Sequence, residues 1–317
     1  MINESLENIY ISPLESCNLN CQYCYTKKTK NRLSNEEILS FIEKYKNYLK
    51  SISSDLKSIL FCGGEVFILS DFVELINHVT DQNIFVAIIT NGTIDKLEEI
   101  KTPNNCQLLV SLDGPKEIHD KNRGLGNFDK TIDFIKHGLK LGCYVEIMFL
   151  VTPDSFEFID TFPTYIENLI GKKIDINYIT QKSISFTKDH PLSNQKELRS
   201  LSKGRIVKIK REYRSIPSKS FGCSQIALQS NGLIYGCCES PTPIAKITNE
   251  PKIIVDNFLK TLTKCNNCLS KDVLCGGCSD PDFLCGYKTE LNLNSCIEVV
   301  KKFKQFSNFD LKTRRLE

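Results

Sequence analysis

The sequence predicts an α/β protein, built as a partial (β/α)6 TIM-like barrel that is followed by a small cysteine-rich domain. From about residue 8 to residue 180, short β-branched runs alternate with amphipathic stretches. After residue 180 this alternation stops, and nine of the 15 cysteines lie between Cys223 and Cys296. Six strand–helix units are too few to close an eight-stranded barrel, so we expect the barrel to be open.

Six runs are predicted to be strands of a parallel sheet, because strands that alternate with helices pair through crossover connections. They are Ile9–Pro13, Ser58–Cys62, Ile84–Thr90, Leu108–Leu112, Tyr144–Val151 and Ile174–Ile179. Helices are predicted near Asn35–Leu49, Ser70–Val79, Phe128–Leu141 and Ser155–Ile170. Farther along the chain, Gln225–Gln229 and Gly232–Tyr235 are predicted to form a hairpin.

We divide the chain into a barrel over residues 1–180, a basic linker or helix over residues 181–220 and a cysteine-rich domain over residues 221–317 that ends in a helix. The stretch from Lys182 to Lys219 carries eleven Lys and Arg residues. It is either a solvated helix face or a surface that binds an acidic peptide or another anion. The cysteine-rich domain has little apolar content, so we expect metal coordination to supply part of its stability.

The composition limits the classes of function. No segment resembles a signal peptide, and the apolar run Ile84–Ile89 is too short to span a bilayer, so we expect a cytoplasmic protein without a membrane partner. In a reducing compartment, clustered cysteines indicate metal ligands rather than disulfides. The isolated Cys62, Cys106 and Cys143 are predicted to lie in the core. The basic stretch has no interleaved aromatic residues, so we expect no nucleic acid.

Five loops with unusual residues follow the predicted strands. They contain the triad Cys17, Cys21 and Cys24, then Gly63-Gly64-Glu65, Thr90-Asn91-Gly92, Asp113-Gly114 and Thr152-Pro153. Parallel α/β folds build their active sites at the carboxyl ends of their strands. We therefore expect all five loops to converge on one face of the barrel.

The first of these loops has the spacing C-x3-C-x2-C, formed by Cys17, Cys21 and Cys24. Thiolates are soft ligands that suit iron–sulfur clusters or zinc. A structural zinc site would need a fourth ligand from a distant part of the chain. A [4Fe–4S] cluster with three protein ligands instead leaves one iron open to bind another molecule. The spacing therefore favours a catalytic cluster, with the completed zinc site as the alternative.

From Ile9 to about Ile179 the sequence resembles the radical S-adenosylmethionine (radical SAM) superfamily. The resemblance rests on the cysteine motif, with Tyr23 as its aromatic residue, and on Gly63-Gly64-Glu65 after the second strand. It implies that the cysteine triad holds a [4Fe–4S] cluster whose open iron binds S-adenosylmethionine. One-electron reduction would then cleave the sulfonium and yield a 5′-deoxyadenosyl radical.

The resemblance also implies which residues bind S-adenosylmethionine. Tyr23 would lie near the adenine, while the backbone and carboxylate of Gly63-Gly64-Glu65 would hold the ammonium group. The proline that often follows is replaced by Val66.

Further contacts are implied by the loops after the third and fourth strands. Ser111, Asp113 and Arg123 lie in a segment that resembles the one binding the ribose and the methionine carboxylate, although a turn and a helix cap would also explain it. Asn91 is either another cofactor contact or part of a simple turn. His119 is interpreted as a solvated residue at the start of a helix.

The cysteine-rich domain has the spacing C-x8-G-x4-C from Cys223 through Gly232 to Cys237, then C-x2-C-x6-C-x2-C from Cys265 to Cys278, followed by Cys285 and Cys296. This arrangement resembles the SPASM extension of peptide-modifying radical SAM enzymes, although its first gap is one residue short and its middle gaps differ. That resemblance implies an outer auxiliary [4Fe–4S] cluster on Cys265, Cys268, Cys275 and Cys296. It implies an inner one on Cys223, Cys237 and Cys278. This inner cluster is either open to substrate or completed by Cys238 or Cys285, and the further alternative is that one of these two donates a hydrogen atom. Two zinc sites of four cysteines each are the alternative.

The resemblance implies a peptide maturase that abstracts a hydrogen atom from a ribosomally made peptide, giving a crosslink, a thioether or an epimer. The alternatives are oxidation or epimerisation of a small molecule such as an aminosugar, side-chain maturation of a sulfatase, and a non-catalytic metal-binding module. Because the first strand begins by Ile9, we expect leader binding by a separate protein or by the basic stretch. An electron donor such as flavodoxin or ferredoxin is a further expected partner.

Overall fold

The structure is a computed structural model, and it describes residues 6–24, 26, 28–152, 154–180, 225–236, 238 and 242–262, together with strand residues 309–310 and 315–316. The strands are β1 Asn8–Ile11, β2 Ser58–Phe61, β3 Phe85–Thr90, β4 Cys106–Ser111, β5 Tyr144–Val151, β6 Asp175–Thr180, β7 Gln225–Leu228, β8 Leu233–Tyr235, β9 Pro243–Lys246, β10 Phe309–Asp310 and β11 Arg315–Leu316. The helices are α1 Asn35–Ser51, α2 Phe72–Thr80, α3 Lys116–Arg123, α4 Asn127–Leu141, α5 Phe162–Ile170 and α6 Pro251–Leu262.

The chain divides into two compact units. The terminal unit comprises residues 1–14, 31–60 and 217–317, and the central unit comprises residues 15–30 and 61–216. In the terminal unit the described strands follow the order β2-β1-β7-β8-β9. Strand β7 pairs in parallel with β1, and β7, β8 and β9 form an antiparallel meander. The predicted hairpin is thereby confirmed.

Helix α1 of the terminal unit shows why its segment folds as predicted. Ser34 caps it, because its hydroxyl accepts the Glu37 N–H while the Glu37 carboxylate accepts the Ser34 N–H. Its buried residues recur every three or four positions, which is the spacing of one helix face; they are Ile38, Phe41, Ile42, Tyr45 and Leu49.

The central unit contains four parallel strands in the order β3-β4-β5-β6, each separated from the next by helical segments. Phe67 packs edge-on against Phe72 and Phe134 in its core. In each unit the described strands form an open arrangement. The fold is therefore an α/β fold with a mainly parallel, open sheet, as in a partial TIM-like barrel, and the predicted fold class is confirmed.

Two details of the predicted helices are wrong. The segment Ser155–Ile170 is divided into a 3-10 turn, Phe156–Phe158, and α5, because Pro163 lies in the first turn of α5 and starts a helix there. Helix α3 was not among the predicted helices, because eight mostly polar residues give no apolar periodicity; only a helix start near His119 was expected. No helix in the described ranges is long and apolar enough to cross a membrane.

Candidate functional site

The residues of the candidate site lie within the ranges 15–30 and 61–154, so all of them belong to the central unit. The cysteine loop, residues 17–24, has Cys17 and Cys21 half-buried and Cys24 exposed. The Cys24 N–H donates to the Cys21 carbonyl at 3.2 Å, so the second and third cysteines flank a tight turn. Lys28 closes the loop from the other side by donating to the Leu19 carbonyl and, at 3.1 Å, to Asn20 Oδ1.

The thiols of this loop are electrostatically coupled. Burial raises the pKa of Cys17, opposed by a 3.4 Å hydrogen bond from the Leu19 N–H and by the charge of Lys28. Burial also raises the pKa of Cys21, opposed by the charge of Arg123. Cys24 raises the pKa of both thiols further, and Cys17 also raises that of Cys21, so the three sulfurs lie within electrostatic reach of one another.

The donor set fits an iron–sulfur cluster. Three soft thiolates lie on one short loop, with hydrogen-bond donors and cations already placed to stabilise their charge. No group of three or more His, Cys, Asp or Glu side chains among the described residues is placed to chelate a single metal ion. A cluster makes a different demand, because each of its cysteine ligands binds a separate iron. We infer that Cys17, Cys21 and Cys24 would be the residues that hold it.

The glycine loop, Gly63-Gly64-Glu65, packs directly on the start of the cysteine loop. A Cβ at position 64 would lie 1.9 Å from the Ser16 carbonyl oxygen, a distance that no side chain permits. The Glu65 N–H donates to the same carbonyl at 3.0 Å. Gly63 has a φ of 149°, which favours glycine. Glycine is therefore required where the backbones of these two loops touch.

The Glu65 carboxylate joins the glycine loop to the end of β3. It is 1% exposed; Oε1 accepts from Thr90 Oγ1 at 2.9 Å and from the Phe67 N–H at 3.1 Å, while Oε2 accepts from the Asn91 N–H at 2.7 Å. Burial raises the pKa of Glu65, and these three bonds oppose the shift. A carboxylate has room for about four donors. One position on Oε2 remains for a further donor, such as an ammonium group.

Asn91 links the end of β3 to the cysteine loop. Its Nδ2 donates to Asn18 Oδ1 at 3.0 Å and to Cys17 Sγ at 3.9 Å, and its Oδ1 accepts from Thr93. Asn18 in turn donates to Thr93 Oγ1 at 2.9 Å. Asn18 and Thr93 were not predicted to be parts of the site, because single polar residues in loops carry no spacing signal.

Asp113 and Arg123 form a buried ion pair with two hydrogen bonds. Arg123 Nε donates to Asp113 Oδ2 at 2.7 Å, and Nη2 donates to Oδ1 at 3.0 Å. Burial would lower the pKa of Arg123, but the Asp113 carboxylate holds it above its ordinary value. The same guanidinium lowers the pKa of Cys21. Ser111 ends β4 two residues before Asp113 and is half-buried. The ion pair thus fixes a guanidinium beside the cysteine loop, although the Asp113 carboxylate raises the pKa of Cys21 and opposes its effect.

The interpretation of His119 as a solvated residue is wrong. His119 is 0% exposed, its Nδ1 accepts the Asp113 N–H at 3.3 Å, and its ring lies edge-on to Phe128. Burial lowers its pKa to about 4, so the ring is neutral near pH 7. Its role is to fix the loop that carries Asp113.

Helix α3 also holds the cysteine loop, because the Gln22 N–H donates to the Asn122 carbonyl at 3.1 Å.

Tyr23 belongs to the cysteine loop and connects it to the end of β5, where it hydrogen-bonds the Thr152 side chain. Burial raises its pKa, and the nearby Asp154 carboxylate raises it further. The loops after β3, β4 and β5 thus contact the cysteine and glycine loops, as the sequence predicted. The residues that this network brings together are Cys17, Cys21, Tyr23, Gly64, Glu65, Asn91, Asp113 and Arg123.

The proposed ligands of the auxiliary clusters lie outside the described residues. These are Cys223, Cys237, Cys265, Cys268, Cys275, Cys278 and Cys296, and Cys285 is also among the residues not described. Cys238 is described and is half-buried, with its carbonyl accepting from Gln229 Nε2 at 3.4 Å. The auxiliary ligand set remains a prediction.

Comparison with known proteins identifies the segment that carries this site. Residues 11–162 match the model of the radical SAM superfamily. The Fe-coproporphyrin III synthase of Methanosarcina barkeri is 33% identical over 138 residues, which are 40% of this chain and 33% of that protein. The radical SAM cyclopropyl synthase TigE of Paramaledivibacter caminithermalis is 22% identical over 322 residues, covering 86% of this chain and 66% of TigE.

A structural comparison extends the similarity over more of the chain. The solved structure of anSMEcpe with bound AdoMet and a Cp18Cys peptide superposes with a TM-score of 0.66 and 19% identity. The match covers 94% of this chain and 96% of that one. At this identity the superposition establishes a common fold. This chain spans only about a third of the length of the Methanosarcina relative, so the activity of the whole protein is a matter of proposal.

Proposed function

We propose that this chain, whose residues 11–162 form a radical SAM domain, reductively cleaves S-adenosylmethionine and abstracts a hydrogen atom from a peptide substrate. One observation carries the proposal. The cysteine loop, the glycine loop, the end of β3 and the Asp113–Arg123 pair are joined by hydrogen bonds and ion pairs at the carboxyl ends of the strands. A structural metal site needs no such convergence of loops.

The cysteine triad would hold a [4Fe–4S] cluster in this site. The chemistry that the cluster supplies when bound is the one-electron reduction of the sulfonium of S-adenosylmethionine. The chain supplies binding and orientation, as proteins do for most cofactors. An external one-electron donor, such as flavodoxin or ferredoxin, completes the proposed system.

The methionine end of S-adenosylmethionine carries an ammonium and a carboxylate, and the site has a partner for each. Glu65 Oε2 has an unused acceptor position for an ammonium donor, and the three bonds that the carboxylate already accepts keep it in place. Arg123 uses two of its five donors on Asp113, which leaves three for a carboxylate. Charge-assisted hydrogen bonds of this kind are stronger than neutral ones and fix orientation.

The adenosine end requires a flat apolar contact and hydroxyl partners. Tyr23 is held at the end of β5 by its bond to Thr152, so its ring has a defined position beside the cysteine loop. We assign it to the adenine. Ser111 ends β4, in the same segment as Asp113, and we assign it to the ribose.

Fold similarity supports a peptide as the substrate. The anSMEcpe structure that matches almost the whole chain contains AdoMet and a peptide. We further propose that the cysteine-rich segment binds one or two auxiliary [4Fe–4S] clusters. A small-molecule substrate is the second candidate, because the relative at 33% identity is an Fe-coproporphyrin III synthase.

The test begins with protein reconstituted anaerobically and reduced. Three clusters would give about twelve irons per chain and two would give about eight. Addition of S-adenosylmethionine should produce 5′-deoxyadenosine, and its absence would refute the proposed activity. Replacing Cys265 and Cys268 by Ala should lower the iron content while cleavage partly survives; zinc in place of iron in that segment would refute the auxiliary clusters alone.

The substrate class is tested by asking which candidate substrate is coupled to the cleavage of S-adenosylmethionine. A true substrate should raise 5′-deoxyadenosine formation and lose a hydrogen atom, so a deuterated substrate should transfer deuterium to 5′-deoxyadenosine. Cysteine- or glycine-rich peptides encoded beside this chain's gene are compared with tetrapyrrole precursors of Fe-coproporphyrin III, the product that the name of the Methanosarcina relative gives. Deuterium transfer from the tetrapyrrole but not from any peptide would replace the first candidate with the second.

A further inference from the structure

We infer that Asn91 is a positioning residue: it holds an amide N–H on the sulfur of Cys17 and thereby raises the reduction potential of the cluster bound by the cysteine loop. The inference rests on the proposed function, because it requires a cluster on Cys17. It gives Asn91 a role through a cysteine rather than through a direct contact with S-adenosylmethionine. The observation behind it is the 3.9 Å contact between Asn91 Nδ2 and Cys17 Sγ.

The orientation of the Asn91 amide is fixed by its neighbours. Its Oδ1 accepts from the Thr93 N–H at 2.9 Å and from Thr93 Oγ1 at 2.6 Å. A backbone N–H can only donate, so the amide oxygen must face Thr93. A flipped amide would place its NH2 group against that donor. Nδ2 is therefore the atom that faces the cysteine loop, and one of its hydrogens remains for Cys17 after the other bonds Asn18 Oδ1 at 3.0 Å.

The backbone of Asn91 is held as firmly as its side chain. Its N–H donates to Glu65 Oε2 at 2.7 Å, and its carbonyl accepts from Thr131 Oγ1 at 3.0 Å. The residue is 6% exposed. Glu65, Asn91 and Cys17 thus form a continuous series of contacts from the glycine loop to the first cysteine. A donor anchored at three points keeps its position when the charge on the sulfur changes.

A hydrogen bond to a cluster ligand affects the two oxidation states unequally. Reduction adds negative charge to the cluster and its sulfurs, so an N–H donor stabilises the reduced state more than the oxidised state. Hydrogen bonds to the sulfurs are among the factors that set cluster potentials. Cys17 also accepts from the Leu19 backbone, and Cys21 faces the charge of Arg123. The Asn91 amide is the neutral side-chain donor on Cys17 that mutagenesis can remove.

The experiment is a redox titration of Asn91→Asp, followed by the electron paramagnetic resonance signal of the reduced cluster. The triad cluster is identified as the signal that disappears when Cys17, Cys21 and Cys24 are all Ala. Aspartate keeps an oxygen for Thr93 but places a second, charged oxygen where the donor had faced Cys17. We expect the equilibrium constant for one-electron reduction to fall at least tenfold, a shift of about 59 mV to lower potential.

The matched control is Asn77→Asp. Asn77 also donates from Nδ2 and accepts at Oδ1, but its partners are the Glu99 carbonyl and the Lys101 N–H, which lead into β4 at the amino ends of the strands. Its substitution introduces the same charge and should leave the potential of the triad cluster unchanged. Asn91→Ala, which removes the donor without adding charge, should shift the potential in the same direction as Asn91→Asp but by less.

The outcomes separate this inference from the proposed function. An unchanged potential in iron-loaded Asn91→Asp or Asn91→Ala would overturn the role of Asn91 while cleavage by the wild-type protein left the function standing. Loss of triad iron from Asn91→Asp but not from Asn77→Asp would support the role, since the carboxylate repels the thiolate. If Asn91→Asp and Asn77→Asp shifted the reduction potential equally, the shift would come from the added net charge alone. That result would overturn the role of Asn91. Absence of 5′-deoxyadenosine from the wild-type protein would instead end the proposed function.

Discussion

Cys17 and Cys21 lie half-buried beside hydrogen-bond donors and cations, whereas Cys106 and Cys143 lie in an apolar core. Burial raises the pKa of Cys106 to about 12 and that of Cys143 to about 11. Burial also raises the pKa of the two site thiols, but there the Leu19 N–H and the charges of Lys28 and Arg123 oppose it. A thiol becomes a metal ligand where its surroundings stabilise the thiolate. The surroundings of Cys17 and Cys21 contain such stabilising groups, whereas the thiols in the apolar core are surrounded mainly by groups that disfavour the charge.

The largest expected effect on stability comes from removing Arg123, one of the cations beside the site thiols. Arg123→Met leaves the Asp113 carboxylate, whose side chain is 2% exposed, without its partner. Breaking a buried pair in this way costs about 3–5 kcal/mol. We expect a loss of that size in the free energy of unfolding by denaturant, together with weaker iron binding by the triad.

Two further variants sharpen this prediction. Arg123→Lys keeps a positive charge and should retain more stability and iron. The double variant with Asp113→Asn and Arg123→Met should be more stable than Arg123→Met alone, because no buried charge is left unpaired. If Arg123→Met unfolded like the wild-type protein, the ion pair would not support the site.

Glu65→Gln tests the carboxylate that joins two loops of the site. An amide offers one acceptor where the carboxylate offers two, so it cannot satisfy Thr90, Asn91 and an incoming ammonium together. We expect affinity for S-adenosylmethionine to fall by about 1.5–3 kcal/mol, or roughly ten- to a hundredfold, with iron content unchanged. Equilibrium binding measures the effect.

The control for Glu65 is another buried carboxylate. Glu146 on β5 is 9% exposed and accepts from Gln107 Nε2 at 3.1 Å. Glu146→Gln changes the same chemical group outside the loops of the site and should leave affinity for S-adenosylmethionine intact. Equal losses of affinity in the two variants would mean that Glu65 acts only through general stability.

Gly64→Ala tests the contact between the glycine loop and the cysteine loop. The added Cβ would meet the Ser16 carbonyl oxygen at 1.9 Å, so one of the two loops must move. Such overpacking costs about 1–3 kcal/mol. We expect reduced binding of both iron and S-adenosylmethionine, measured on reconstituted protein.

Gly142→Ala provides the comparison for Gly64. Gly142 has a φ of 91° and open space around its Cβ position, so alanine there introduces backbone strain of about 1–2 kcal/mol without displacing a neighbour. Stability should fall to a similar extent in both variants. Binding of iron and S-adenosylmethionine should fall only for Gly64→Ala. Equal losses of binding in the two variants would show that the contact between the loops is unimportant.

The smallest effect concerns a pH-dependent contact outside the site. His137 hydrogen-bonds Asp95 at 2.6 Å and Glu98 at 2.9 Å, and these two carboxylates raise its pKa. A raised folded-state pKa stabilises the protein fully below the ordinary histidine value of about 6.5, and the contribution is lost as pH rises through the folded-state pKa. The free energy of unfolding of the wild-type protein should exceed that of His137→Gln by less than about 1 kcal/mol at pH 6. At pH 9 the two free energies should be equal.

The sequence predicted the six barrel strands because short β-branched runs alternate with amphipathic stretches, and it predicted the loops of the site because glycine and cysteine spacings are distinctive. It could not predict the partners of those residues. Asn18 and Thr93 act through hydrogen bonds between loops, and Ser16 acts through its backbone carbonyl; such contacts leave no pattern in the sequence. His119 was misjudged because its burial depends on Phe128 of the next helix, a tertiary contact.

The most direct measurement compares 5′-deoxyadenosine formation in two cysteine variants of the full chain. In one, Cys17, Cys21 and Cys24 are all replaced by Ala; in the other, the buried Cys143 alone is replaced by Ala. After anaerobic reconstitution, reduction and addition of S-adenosylmethionine, we expect the triple variant to lack about four irons and to form no 5′-deoxyadenosine. The Cys143 variant should retain both. Formation of 5′-deoxyadenosine by the triple variant would contradict the assignment of the cysteine loop as the radical site.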